Sequence, residues 1–327
     1  MSILTTQNLS IGYSKKGKTD VIQSALELQL RAGELVCLIG PNGSGKSTLL
    51  RTLTGLQKQL SGNTFIDGKE LSRLKQREKA MQIALVLTDR IDIENATVYN
   101  IVSLGRHPHS NWWGNITEDE DKIIREAIEM VHLEHKMHHN INELSDGERQ
   151  RAMIARALAQ DTPIIMLDEP TAHLDLPNRV EIMLLLHRLA HKTDKAILLS
   201  THELDLALQA ADRIWLISSE RGVEFGVPED LVFNGSFNKA FESKSYYFNA
   251  DNGNFSLNYP MARKVWVSGN KTRMYWTLRA LARAGYMVVE DADTQISVTE
   301  SGWILKSNEI RTIEKLLQEL NLIFTNS

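Results

Sequence analysis

The stretch GPNGSGKST, Gly40 to Thr48, has the spacing G-x-x-x-x-G-K-[ST] and lies between an apolar run and a helical pattern. Those residue types suit one task, holding a nucleotide polyphosphate. Gly43 and Gly45 let the backbone curl so that successive N–H groups face a β-phosphate. Gly40 opens the loop and Asn42 lies at its crown. Lys46 adds a charge that bridges β- and γ-phosphates, Ser47 offers a hydroxyl to Mg²⁺, and Thr48 assists at the α-phosphate. A second piece is IIMLDEP, Ile164 to Pro170. Four apolar residues make a buried strand, and two carboxylates follow where it emerges. Ligands of doubly wound sheets bind at the carboxyl ends of strands. Asp168 is therefore placed to reach a Mg²⁺ shell, and Glu169 to orient an attacking water or take its proton.

A third piece, NELSDGERQRAMIARALAQ, runs from Asn142 to Gln160. Ser145-x-x-Glu148 is a capping box at the start of an Ala/Leu/Arg-rich helix. Its free N–H groups, that of Gly147 among them, and the Ser145 hydroxyl also make a ready anion site. The residues alone leave open whether this is only a helix start or half of a phosphate site. The chain carries no second phosphate loop.

Elements must hold these pieces together. Leu28–Leu30, Leu35–Ile39, Ile164–Leu167 and Ile197–Ser200 read as buried strands. Leu49, Leu50, Leu53 and Leu56 share one face of a helix that closes near Gly55, and Arg179–His191 reads as another. Strands alternating with helices imply a largely parallel sheet. The mainly helical block Asp119–Arg156 interrupts that alternation as an insertion. Beyond 260 the pattern predicts strand Val265–Val267, helix Lys271–Ala284, strands Met287–Val289 and Ile296–Val298, and helix Ile310–Leu320.

The chain has 327 residues, a formal net charge of −4 and one cysteine, Cys37. That charge gives no reason to expect nucleic acid as a partner, and one cysteine excludes a disulfide framework. No run approaches the ~18 apolar residues of a membrane span. MSILTTQNLS lacks the basic start and apolar core of a signal peptide. A cytosolic chain is expected.

The phosphate loop, LSDGERQ, LDEP, HLD at His173–Asp175 and STHE at Ser200–Glu203 stand in that order. Together they resemble the ATP-binding subunit of ABC transporters over about residues 1–260. The resemblance implies an α/β P-loop NTPase fold, the ABC ATPase domain. Its parts are a mostly parallel core sheet, N-terminal antiparallel strands and a helical subdomain at about 89–160. A small C-terminal α/β domain follows at 261–327, suited to regulation or dimerisation, although the resemblance does not dictate its role. The resemblance also implies ATP and Mg²⁺ as cofactors. By resemblance Tyr13 stacks on adenine, Asp168 joins the Mg²⁺ shell, Glu169 is the catalytic carboxylate, Asp175 belongs to a dimer-contact loop, and His202 holds the γ-phosphate and water.

The family works as a head-to-tail homodimer. Ser145, Gly147 and Glu148 of one protomer would then face the γ-phosphate held by the partner subunit's Lys46. VSLGRHPH, Val102 to His109, followed by a helical block and ARALAQDTP, is similar to importers of iron–siderophores, haem and cobalamin. Those pair two ATPase subunits with two separate membrane-spanning permease subunits and draw on a substrate-binding protein. The implied place is the cytoplasmic face of the membrane, peripheral and held by the permeases. An exporter subunit, a soluble ABC ATPase of ribosomes or DNA repair, and a cassette that binds ATP without hydrolysing it are the alternatives.

Two letters depart from the family pattern. Thr88 stands where the family usually has Gln touching Mg²⁺ and water. Asp146 stands where it usually has Gly. A carboxylate near a γ-phosphate is repelled by on the order of 1 kcal/mol or more, so the Asp146 side chain is expected to turn away, to a local amide. Of the weaker signals, His132, His135 and His139 share a helical face but read as a solvated helix end. Trp112 and Trp113 suit a surface that receives a membrane subunit. The basic run Arg263 to Arg283 reads as a solvated helix face.

Overall fold

Leu35–Ile39, Ile164–Asp168 and Ala196–Ser200 are buried at every position. Strands with no polar face belong inside a parallel sheet covered on both sides. The computed structural model, which describes residues 2–15, 18–87, 95–109, 116–218, 222–241, 243, 245–250 and 253–325, places them so. Its contacts separate two units, one of residues 1–242 and 248–254, the other of 243–247 and 255–327.

The first unit opens with β1 (Ser2–Lys15), β2 (Lys18–Leu26), β3 (Gln29–Arg31) and β4 (Leu35–Ile39). After helix α1 (Lys46–Leu53) come β5 (Ser61–Ile66), β6 (Lys69–Glu70), the short α2 (Gln76–Ala80) and β7 (Ile83–Val86). β1 pairs antiparallel with β2, β3 and β5. Helices α3 (Val98–Ser103), α4 (Glu118–Met130) and α5 (Asp146–Ala159) pack on one another before the chain returns to β8 (Ile164–Asp168). Then follow α6 (Leu176–Thr193), β9 (Ala196–Ser200), α7 (Leu204–Ala210), β10 (Arg213–Ser218) and β11 (Gly222–Gly226).

The central sheet has the order β11-β10-β4-β9-β8-β7. All of its pairs are parallel except the edge pair of β10 with β11. Leu38 pairs with Ser200, and Ser200 with Asp168, so the carboxyl ends of β4, β9 and β8 stand level. Both sheets of this unit share one core, in which Leu4, Leu9 and Leu30 meet Leu38, Met166, Leu198 and Trp215.

Two expectations change here. Leu56 is exposed, because α1 ends at Leu53 and Gly55 turns the chain at φ +73°. His132, His135 and His139 share no helical face. α4 stops at Met130, His132 takes the left-handed φ of +59°, and the exposed histidines follow in turns.

Short α8 (Pro228–Phe233) and α9 (Ser236–Ala240) and the two-stranded β12 (Tyr246–Asn249) and β13 (Asn254–Leu257) come next. The second unit contains β14 (Arg263–Gly269), α10 (Lys271–Arg283), β15 (Tyr286–Val288), β16 (Gln295–Val298), β17 (Trp303–Leu305), β18 (Asn308–Ile310) and α11 (Ile313–Thr325). Its sheet order is β15-β14-β16-β17-β18. Val265, Leu281, Tyr286, Ile296, Trp303, Leu316 and Leu320 form its core, and the Trp303 indole N–H donates to Thr277 Oγ1 at 2.8 Å. The hairpin β17–β18 was not expected, and Ile310 belongs to it rather than to the last helix. Its turn, Lys306–Ser307, has φ of +47° and +72°, a tight primed turn built without the Asn-Gly signal that usually reveals one.

Candidate functional site

The loop after β4 is shaped by its glycines. Gly43 and Gly45 have φ of +79° and +105°, and a Cβ on Gly45 would lie 2.6 Å from Ile22 Cγ2. Gly45 is the cap of α1, so the first N–H groups of that helix open into the loop. Asn42 is exposed at the crown. The Lys46 ammonium is buried and donates to the carbonyls of Gly40 at 2.8 Å and Pro41 at 3.2 Å. Burial makes that ammonium easier to deprotonate, and the charges of Glu169 and Asp168 oppose the effect. Ser44 Oγ is buried with no hydrogen-bond partner among the described residues, which is costly unless a ligand oxygen completes it. A curled backbone, a helix start, a lysine and an orphaned hydroxyl together fit a polyphosphate.

The sheet order brings the second piece to this loop. Ser47 Oγ donates to Asp168 Oδ1 at 3.1 Å across 121 positions of sequence. The pair offers hydroxyl and carboxylate oxygens, the donors a hard divalent cation takes beside phosphate. Asp168 Oδ1 also accepts from Ser200 Oγ at 2.6 Å. Glu169, at φ +49°, anchors its amide to Ser200 O at 3.2 Å and Ser200 Oγ at 3.0 Å. Its carboxylate Oε1 then meets His202 Nε2 at 2.6 Å. Tyr13 is half-exposed and its hydroxyl shares a hydrogen bond with Thr48 Oγ1 at 3.1 Å. Lys46, Ser47, Thr48, Tyr13, Asp168, Glu169 and His202 thus form one linked group. Thr88, Trp112 and Trp113 lie outside the described residues.

Three positioning residues had not been singled out. Ser200 ties Asp168 to Glu169, as above. Gln23 Nε2 donates to Ser44 O at 3.3 Å and Ser218 O at 2.7 Å, bracing the loop from β2. Arg179 donates to Leu174 O and Glu203 Oε1, both at 2.6 Å, joining α6 to the His202 segment. Of the three, Ser200 alone stood in a named motif, as the first residue of STHE.

Ser145, Gly147, Glu148 and Asp175 gather elsewhere. Ser145 caps α5, accepting from the Glu148 amide at 3.3 Å, while Glu148 Oε2 accepts from the Ser145 amide and hydroxyl at 2.9 Å each. Gly147 has a buried approach to α6, where a Cβ would lie 2.4 Å from Asn178 Oδ1. Asn178 in turn donates its amide and side chain to Asp175 Oδ1, the cap of α6. Asp146 pairs with Arg149 Nη1 at 3.3 Å. A pairing that already neutralises the carboxylate predicts little change for Asp146→Gly. Its ATPase rate should stay within about threefold of wild type, as expected for a satisfied surface pair.

Lys136 Nζ lies 2.6 Å from Glu148 Oε1. That ammonium is the main reason the Glu148 carboxyl falls from 4.5 to about 2, with burial opposing and Ser145 assisting. A carboxyl lowered by folding contributes stability that is full above its unfolded value and fades as pH falls to the folded one. Wild type should therefore melt above Glu148→Gln at neutral pH. Thermal melts at falling pH should show that gap closing between about 4.5 and about 2.

Comparison with known proteins agrees with this geometry. The family model for ABC transporters matches residues 24–172, and the model for the iron ABC transporter C-terminal domain matches residues 262–321. An ABC transporter ATP-binding protein of Methanocaldococcus jannaschii is 39% identical over 289 residues, 88% of this chain and 98% of that protein. The iron(3+)-hydroxamate import ATP-binding protein of Bacillus subtilis is 34% identical, covering 68% of this chain and 80% of that protein. A dimeric ATP-binding cassette solved in a post-hydrolysis state with ADP and Pi is similar in fold. It has a TM-score of 0.59 and 27% identity, and the match covers 69% of this chain and 98% of that one. With a relative 39% identical and matched over 98% of its length, and the phosphate loop, carboxylates and histidine assembled, this chain belongs to the ABC transporter family, as an ATP-binding and ATP-hydrolysing cassette.

Proposed function

We propose that this chain is the ATPase subunit of an importer for chelated iron, a ferric siderophore, with haem and cobalamin as related cargoes. The match of residues 262–321 to the iron ABC transporter C-terminal domain supports that substrate class, together with the hydroxamate-import relative. The observation that carries the catalytic part is the Ser47–Asp168–Ser200–Glu169–His202 chain at the ends of β4, β8 and β9.

In this reading the amides of Gly43 to Ser47 and the Lys46 ammonium hold the β- and γ-phosphates, and Tyr13 offers its exposed ring to adenine. Ser47 and Asp168 hold Mg²⁺, which neutralises charge on the phosphate oxygens when bound. Glu169 orients the attacking water and takes its proton, and His202 contacts the γ-phosphate from the neighbouring strand end. Placing donors in advance around developing charge is the main source of rate.

The LSDGERQ segment, with Ser145, Gly147 and Glu148, serves another copy. α5 packs against β7, three strand spacings from β4, about 14 Å. The side chains of Ser145 and Glu148 are engaged with each other and Lys136, not with the phosphate loop. Ser145 and the Gly147 amide therefore face the γ-phosphate on a second protomer, with Asp175 at the same contact. ATP touches both protomers only when they meet, so it favours the closed dimer, and hydrolysis releases it. Two separate permease subunits would carry that motion across the membrane and hold this chain at its cytoplasmic face. Among the described residues no helix is long and apolar enough to cross a membrane.

The cargo and its direction can be tested together. The chain should co-purify with two membrane proteins, and the reconstituted complex should move a ferric siderophore in the inward direction when supplied with ATP and a binding protein. Outward movement, or a complex without permeases, would refute the importer reading.

A further inference from the structure

A cluster on the side of the cassette away from the phosphate loop plays no part in the reading above. His187 and His191 are one turn apart on α6, so both imidazoles project from the same face. Asp212, just before β10, lies beneath them. The two Nε2 atoms are 3.2 Å apart, and His191 Nε2 is 3.2 Å from Asp212 Oδ2. His187 Nε2 is 4.0 Å from Asp212 Oδ1. The carboxylate is fixed from behind, since Asp212 Oδ2 accepts the Leu35 amide at 2.8 Å. All three side chains are partly exposed, so a solvated ion can reach them.

We propose that His187, His191 and Asp212 bind one divalent transition-metal ion of the zinc type. Hydrogen bonding alone accounts poorly for the arrangement. A neutral His191 has one proton at most on Nε2, yet that atom faces both a second imidazole nitrogen and a carboxylate oxygen at the same 3.2 Å. Metal coordination suits all three atoms as lone-pair donors. Ligands at 2.0–2.1 Å from a tetrahedral zinc stand about 3.3 Å from one another. With Asp212 Oδ2 as the oxygen donor, two of the three edges already have that length. His187 Nε2 comes to 4.0 Å of the same carboxylate at its other oxygen, Oδ1, and all three donor atoms lie within 4.8 Å of one another, so rotation of the partly exposed His187 imidazole has to close the third edge. Two imidazoles and one carboxylate select zinc-like ions over magnesium or calcium, which take oxygen. The Leu35 amide does the work of an outer partner by orienting the carboxylate. The fourth position is left for water or another small donor.

The ion would join α6 to the entries of β10 and β4. Leu35 begins β4, and the phosphate loop starts beyond its far end, about 17 Å away along an extended strand. Metal binding and nucleotide binding are therefore separable in experiment.

The full-length chain, without a histidine tag, would be titrated with zinc by calorimetry and its metal content measured after dialysis. Wild type should take up one zinc per chain. His187→Gln and His191→Gln should each bind at least about tenfold more weakly. Zinc should also raise the melting temperature of wild type and leave the double variant unmoved, while magnesium moves neither. ATP binding unchanged in the variants would show that they are folded. Identical zinc isotherms for wild type and the double variant, or no uptake by wild type, would overturn the assignment.

Discussion

Glu169→Gln is expected to lower the ATPase rate by about 10²–10⁴-fold, the range in which a positioned general base contributes. Nucleotide affinity should change little. The substitution keeps the size of the side chain and a hydrogen-bonding oxygen for His202, and removes only the capacity to take a proton. The expectation rests on how firmly the backbone is held. Glu169 sits at φ +49° with its amide bonded to Ser200, so the side chain is aimed by the strand ends rather than by a mobile loop. Steady-state hydrolysis beside an ATP-binding isotherm measures both halves of the claim. A variant as fast as wild type would remove Glu169 from the chemistry.

Lys46→Ala acts on a different quantity. Its ammonium is buried in the loop, held by two carbonyls and two nearby carboxylate charges. A hydrogen bond to a charged group is worth about 1.5–3 kcal/mol, so ATP affinity should fall roughly ten- to hundredfold. Hydrolysis at low ATP falls with it. Calorimetry with ATP gives the answer directly, and an affinity equal to wild type would mean that the loop amides bind the phosphates without Lys46.

The phosphate loop, LDEP and LSDGERQ were legible because their chemistry demands particular residue types at fixed spacing. A largely parallel sheet could be inferred too, since apolar strands alternate with helices, but the order of its strands could not. What stayed hidden acts across strands. Ser200 opens STHE, yet nothing local shows its reach to Asp168 over 32 positions, nor that of Gln23 to Ser218 over 195. Arg179 reads as one more exposed charge until α6 is placed beside Glu203. Backbone signs without glycine were the other blind spot. His132 ends a helix and Lys306–Ser307 form a turn, all in left-handed conformations that non-glycine residues adopt infrequently. The supposed histidine face and the β17–β18 hairpin went astray for that one reason. The histidines that do meet, His187 and His191, needed Asp212, from the turn before β10, to become a group.

The central claim is that one protomer's Ser145 completes the ATP site of another. Sedimentation of Glu169→Gln with and without ATP tests it most directly, because ATP persists when hydrolysis is blocked. The mass should double with ATP. Adding Ser145→Arg should keep the chain a monomer although ATP still binds. A Glu169→Gln chain that stays monomeric at saturating ATP, or a Ser145→Arg chain that dimerises as readily, would contradict the account.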